Sequence, residues 1–256
     1  MKTVAFYLFM LFIPFLSMHA QEIRISGTAS IDQVYGLQVE SDKLLPMNDL
    51  NMDNGYVLYE ANLIVESDNA LLEVENVRDY AAVYIDDEFQ GTLTDNRKKI
   101  TLAVKPGSHI LQIYVENIGR ITYGPEILDN SKGLFGNIYI DGQEIEGWKI
   151  SELKIKDCSE TNLNFSETSL STPGFHKAMF EVSSLGNEQY LDISGWGMGE
   201  VWINGTYIGS FWEEEKLQSL MIPASILQNG ENEVVIFEIK NNKTKTIKIA
   251  NSPVFK

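Results

Sequence analysis

LDISGWGMGEVWINGTYIGSFW, residues 191–212, encodes a strand, a glycine-rich crossing and a hairpin. Leu191 and Ile193 alternate with polar neighbours, as a half-buried strand requires. Gly195, Gly197 and Gly199 let the backbone pass where a side chain would clash. Val201 and Ile203 point to one face of the next strand and Trp202 to the other. Asn204-Gly205 offers the two positive-φ residues of a type I′ turn. The strand then returns through Tyr207 and Phe211. No nucleophile, metal ligand or phosphate cradle stands out in it.

The same recipe occurs twice more. Val83-Tyr84-Ile85-Asp86-Asp87 aligns with Val201-Trp202-Ile203-Asn204-Gly205, and Gly91 with Gly209. A third hairpin lies at Ile138-Tyr139-Ile140-Asp141-Gly142. Repetition of one hairpin argues for more than one sandwich, or for more than one use of the same corner. Residues 56–65, 100–104 and 110–115 are rich in β-branched and aromatic types and read as strands, the last two joined by a Lys-Pro-Gly-Ser turn at 105–108. No apolar helical period exceeds two turns beyond residue 20, and βαβ alternation is absent. The expected fold is therefore all-β, two β-sandwiches of the jelly-roll kind.

Residues 1–20 read as a secretory signal peptide. Lys2 precedes an apolar run, Val4–Leu16, with Ala20 at the expected cut. The run is short for a membrane span. The expected address is the periplasm or outside. The polar stretch 156–173 is the expected linker between a first sandwich, 21–155, and a second, 174–244. The closing strand within 245–256 is expected to return to the first sandwich.

The formal charge of −16 argues against nucleic acid and anionic membrane surfaces as partners. The single cysteine, Cys158, excludes an internal disulfide. The three histidines are scattered, with no metal-ligand spacing. No metal and no cofactor are expected.

Residues 191–212, continued by Leu220–Glu238, resemble the galactose-binding-like sandwich of family 35 glycoside hydrolases, the β-galactosidases. Gly-Tyr-Val-Leu-Tyr at 55–59, VENIGRITYG at 115–124 and KGLFG at 132–136 resemble the first all-β domain of that family. Thr206 stands where the family often has histidine, and Ser210 where it usually has arginine. The resemblance implies an accessory, non-catalytic role. The family's two catalytic glutamates sit in an α/β barrel, and the apolar run at 4–16 is followed here by strand patterns, so the expectation is a chain without that barrel. Glu116 mimics a catalytic signature, yet it ends a strand, so no catalytic residue is expected.

The expected ligand is a glycan or galactoside. Aromatic rings stack on the apolar faces of sugars while polar side chains take the hydroxyls. Trp202, Tyr207, Trp212 and Trp196 cluster near one hairpin and are the candidate binding rings. Trp196 also reads as core, and Trp202 equally well as a cover between sandwiches. The alternatives are a protein-interaction module or subunit docking to a separate glycoside hydrolase, marked by an exposed apolar patch, and, behind it, a hydrolase acting on β-galactosides itself.

Overall fold

The computed structural model describes residues 21–119, 122–156, 163–167, 170, 173–184, 188–240 and 246–256. The signal-like run, Cys158 and most of the expected linker lie outside them. In chain order the strands are β1 Gln21–Arg24, β2 Gly27–Ser30, β3 Tyr35–Ser41, β4 Gly55–Val65, β5 Leu71–Arg78, β6 Tyr80–Ile85 and β7 Glu88–Thr94. Then follow β8 Lys99–Thr101, β9 Gly107–Asn117, β10 Gly133–Ile140, β11 Gln143–Glu144, β12 Trp148–Leu153 and β13 Gly174–Val182. The last are β14 Gln189–Asp192, β15 Met198–Ile203, β16 Thr206–Trp212, β17 Ser219–Ile222, β18 Gly230–Glu238 and β19 Thr246–Ala250. All pairings between them are antiparallel.

The first sandwich packs a six-stranded sheet, β3-β12-β4-β9-β6-β7, on a four-stranded one, β11-β10-β5-β8. The second packs a five-stranded sheet, β16-β15-β18-β13-β2, on a four-stranded one, β1-β19-β14-β17. The two sandwiches then meet face to face. On β4, Val57, Tyr59 and Ala61 enter the first core, whereas Tyr56 and Leu58 enter a separate apolar layer shared with Trp202, Val235 and Phe237 of the second sandwich. On β15, Val201 and Ile203 enter the second core and Trp202 enters that shared layer. Strand alternation sends successive side chains to opposite faces. Here both faces are covered, which explains why β6 and β15 are buried along their whole length.

The repeated hairpins fold alike. Asp86 and Asp87 adopt φ of 50° and 66°, and Asn204 and Gly205 adopt 50° and 75°. Each hairpin carries a register shift at the matching place, Val83/Tyr84 and Val201/Trp202. Their central rings, Tyr84 and Trp202, both enter the seam between the sandwiches. Gly199 is needed for a different reason: a Cβ there would lie 1.8 Å from the Phe237 carbonyl oxygen. That approach draws β15 against β18.

Both chain ends correct the expected boundaries. β2 pairs with β13 and β1 with β19, so residues 21–30 belong to the second sandwich and not the first. β19 lies between β1 and β14, with Ile247 and Ile249 in the second core, instead of returning to the first sandwich. The chain enters through the second sandwich and crosses to the first along a 3-10 turn, Ile31–Val34. Within the expected linker, Ser166 and Thr28 exchange backbone hydrogen bonds of 2.7 and 2.8 Å. Phe165 packs against the seam, so this part is tied down.

Candidate functional site

The four candidate rings do not form an exposed platform. Trp196 is 1% exposed in the second core, its Nε1 donating to the Thr246 carbonyl at 3.2 Å and its ring edge-on to His176. Trp202 is also 1% exposed. It packs against Phe175 and Tyr207, with ring centroids 6.4 and 5.7 Å away. Trp212 is half-buried at the seam, edge-on to Tyr80. Tyr207 alone keeps an open face, at 44% exposure. Trp202 as a surface sugar ring is thereby corrected: it is opposite Val201 and Ile203, as alternation requires, but the face it occupies is covered by the first sandwich.

The chemistry of the seam lies elsewhere. Tyr56 on β4 places its hydroxyl 2.9 Å from Glu116 Oε1 and 2.9 Å from Glu200 Oε1. Glu116 ends β9 and is 3% exposed; Glu200 sits within β15 and is wholly buried. Tyr207 donates its hydroxyl proton to Glu200 Oε2 at 2.7 Å. Lys156 Nζ lies 3.7 Å from Glu200 Oε1. Glu116 Oε2 has no hydrogen-bond partner among the described residues. Beside this group Lys132, nearly buried, binds both carboxylate oxygens of Asp79 at 2.9 and 2.7 Å. Tyr84 crosses the seam by donating to the Ile239 carbonyl at 3.1 Å.

Burial first, and the charge of Glu200 second, push the Glu116 carboxyl up to about 7. Burial and the two flanking glutamates hold the Tyr56 hydroxyl well above its ordinary range. Two carboxyl groups about one tyrosine hydroxyl invite comparison with a glycosidase pair. The hydroxyl fills the space between them and both are buried, so no sugar ring fits there. Glu116 holds its place near the end of β9 through this contact with Tyr56.

Glu200 and Tyr56 were not singled out by sequence reasoning, although a signal existed. Glu200 is a lone carboxylate inside an apolar strand, on the same face as Met198 and Trp202 by period two. Glu116 shares a face with Tyr114 in the same way. A charge aligned with large seam rings must find a partner.

Residues 45–154 match the family described as the β-galactosidase first all-β domain. Residues 173–232 match the β-galactosidase galactose-binding domain. These two stretches thus match two β-galactosidase domains, the first all-β domain and the galactose-binding domain. The chain is 29% identical over 214 residues to human β-galactosidase-1-like protein 2, covering 79% of this chain and 33% of that protein. It is 31% identical over 212 residues to a β-galactosidase of Macaca fascicularis, covering 73% and 31%. It thus spans about a third of the length of these relatives. Among solved structures, the apo lectin of Pleurotus ostreatus aligns over 91% of this chain and 85% of its own at 13% identity and a TM-score of 0.28.

The β-galactosidase match to the second sandwich stops at residue 232, while its fold here extends to β19 and back to β1 and β2. The first-domain match ends at 154, one residue past β12. Among the described residues no cluster of three or more His, Cys, Asp or Glu side chains is placed to hold a metal ion. No described helix is long and apolar enough to cross a membrane.

Proposed function

We propose that this chain is an exported, non-catalytic β-galactosidase accessory module that binds galactosides weakly on its second sandwich. The observation that carries the reading is the galactose-binding match of residues 173–232, which includes the hairpin presenting Tyr207. The open face of Tyr207 is the stacking surface, with Glu200, held by its hydroxyl, as the adjoining polar group. The residues ahead of Gln21 direct export. A glycan array followed by calorimetric titration with galactose-terminated oligosaccharides tests it. Tyr207→Ala is expected to weaken binding about tenfold, the scale of one stacked ring, and Tyr207→Phe to keep it. Absence of galactoside binding by the folded protein overturns the reading.

A second reading, docking to the catalytic part of a glycoside hydrolase, is favoured by one observation. Ile118, Tyr123, Ile127 and Leu128 stand 67, 85, 42 and 95% exposed within one connection between β9 and β10. Exposed apolar groups recurring in so short a stretch of chain favour a contact surface. Co-purification with a β-galactosidase catalytic region, abolished by Leu128→Asp, is the expected result under this reading. Failure to co-purify refutes it.

A further inference from the structure

The Tyr56 hydroxyl sits at hydrogen-bond distance from two carboxyl oxygens at once. A hydroxyl has one proton to donate. If both glutamates were ionised, one of the two 2.9 Å contacts would set an acceptor against an acceptor inside a dry layer. Closing both requires a second proton, held by one of the carboxyl groups. Tyr56 and Glu116 belong to the first sandwich and Glu200 to the second, so the shared proton bonds one sandwich to the other.

The surroundings decide where that proton rests. Glu200 receives the Tyr207 hydroxyl on one oxygen and faces Lys156 with the other. Glu116 Oε2 receives nothing among the described residues. Around Glu116, β4 contributes Tyr56 and β6 contributes Tyr80, each its partner in register. The residue before β6 is Asp79, already held by Lys132. β15 contributes Glu200, β16 Tyr207, and the segment after β12 Lys156. β18 adds Glu238, which accepts the Gly197 amide at 2.8 Å. The carboxylates outnumber the two lysines, so the site holds excess negative charge until a proton is added. The Glu116 hydroxyl then donates to the Tyr56 oxygen, and Tyr56 donates to Glu200.

We propose that Glu116, Tyr56 and Glu200 form a proton-dependent latch across the seam, closed while one proton stays with the two carboxyl groups and loosened when it leaves. The direction follows from linkage. The Glu116 carboxyl is raised from 4.5 to about 7 in the folded protein. The latch therefore contributes fully below about pH 4.5 and is lost as pH rises through about 7.

Infrared spectroscopy of the wild-type protein tests this without a mutation. A protonated-carboxyl carbonyl band is expected at pH 5.5, persisting after the surface carboxyls have ionised and vanishing by pH 8.5. No such band, or a band that survives in Glu116→Gln, overturns the proposal. Urea unfolding is the second readout. From pH 5 to 8 the wild-type unfolding constant is expected to rise on the order of tenfold or more beyond that of Glu116→Gln. Equal pH dependence in the two proteins overturns it. If Glu116→Gln does not fold, Glu200→Gln replaces it. Removing that neighbouring charge moves the disappearance of the band to lower pH, and an unmoved band refutes the pairing. Amide exchange separates a seam latch from general loosening. Exchange, corrected for intrinsic rate, rises with pH in β15 before it rises in β5, and equal rises in both refute a latch.

Discussion

Trp202→Ala is the sharpest test of where this protein keeps its aromatic rings. Trp202 is 1% exposed between the sandwiches. A tryptophan side chain buries up to about 250 Å². At roughly 25 cal/mol per Å² that area is worth about 6 kcal/mol, an upper figure because the unfolded chain already shields part of it. Measured truncations of buried aromatic residues cost about 3–5 kcal/mol. Trp202 Nε1 has no hydrogen-bond partner among the described residues. Deleting it relieves part of the cost of burying a polar group, about 1–3 kcal/mol. The expected loss is about 3 kcal/mol. Trp196, by contrast, gives up a bond to the Thr246 carbonyl as well as its packing. Its truncation is expected to cost about 4–5 kcal/mol. Urea denaturation of both variants beside wild type, at one pH, gives the comparison. A Trp202→Ala protein within about 1 kcal/mol of wild type would refute the buried seam and return Trp202 to the surface.

Gly199→Ala should lower stability by about 3 kcal/mol or more, because the added Cβ meets the Phe237 carbonyl and forces β15 off β18. Gly205→Ala, with positive φ but open space around it, should cost only about 1 kcal/mol, and thermal unfolding of the pair checks the order. Asp79→Ala strands the nearly buried Lys132 ammonium and should cost about 3–5 kcal/mol by urea titration, whereas a loss under 1 kcal/mol would mean the pair is solvated. N-terminal sequencing of exported protein should begin near Gln21, and protein found only in the soluble cell fraction with an intact Met1 would refute the export signal.

The sequence alone was sufficient for the hairpins. Asn204-Gly205 and Asp86-Asp87 are positive-φ residues between β-branched strands, and turn chemistry is local. It was sufficient for the strand alternation too: Trp202 does point away from Val201 and Ile203. The all-β class and the two-sandwich resemblance follow from the same local signals, repeated along the chain. What covers the second face is not local. An apolar alternate position reads the same whether it meets solvent, a ligand or another sheet, because period two fixes direction and not destination. Only the docking of the six-stranded sheet on the five-stranded one buried Trp202 and brought Glu116 to Glu200 across 84 residues of chain. The same holds for the termini. β1, β2 and β19 are short, and their pairing with β13 and β14 is fixed by the tertiary assembly of the second sandwich, to whose core Ile23, Ile247 and Ile249 contribute. The sequence determined the strands, their turns and the faces of their side chains; tertiary packing decided which faces became core, which became seam, and where two carboxyl groups must share a proton.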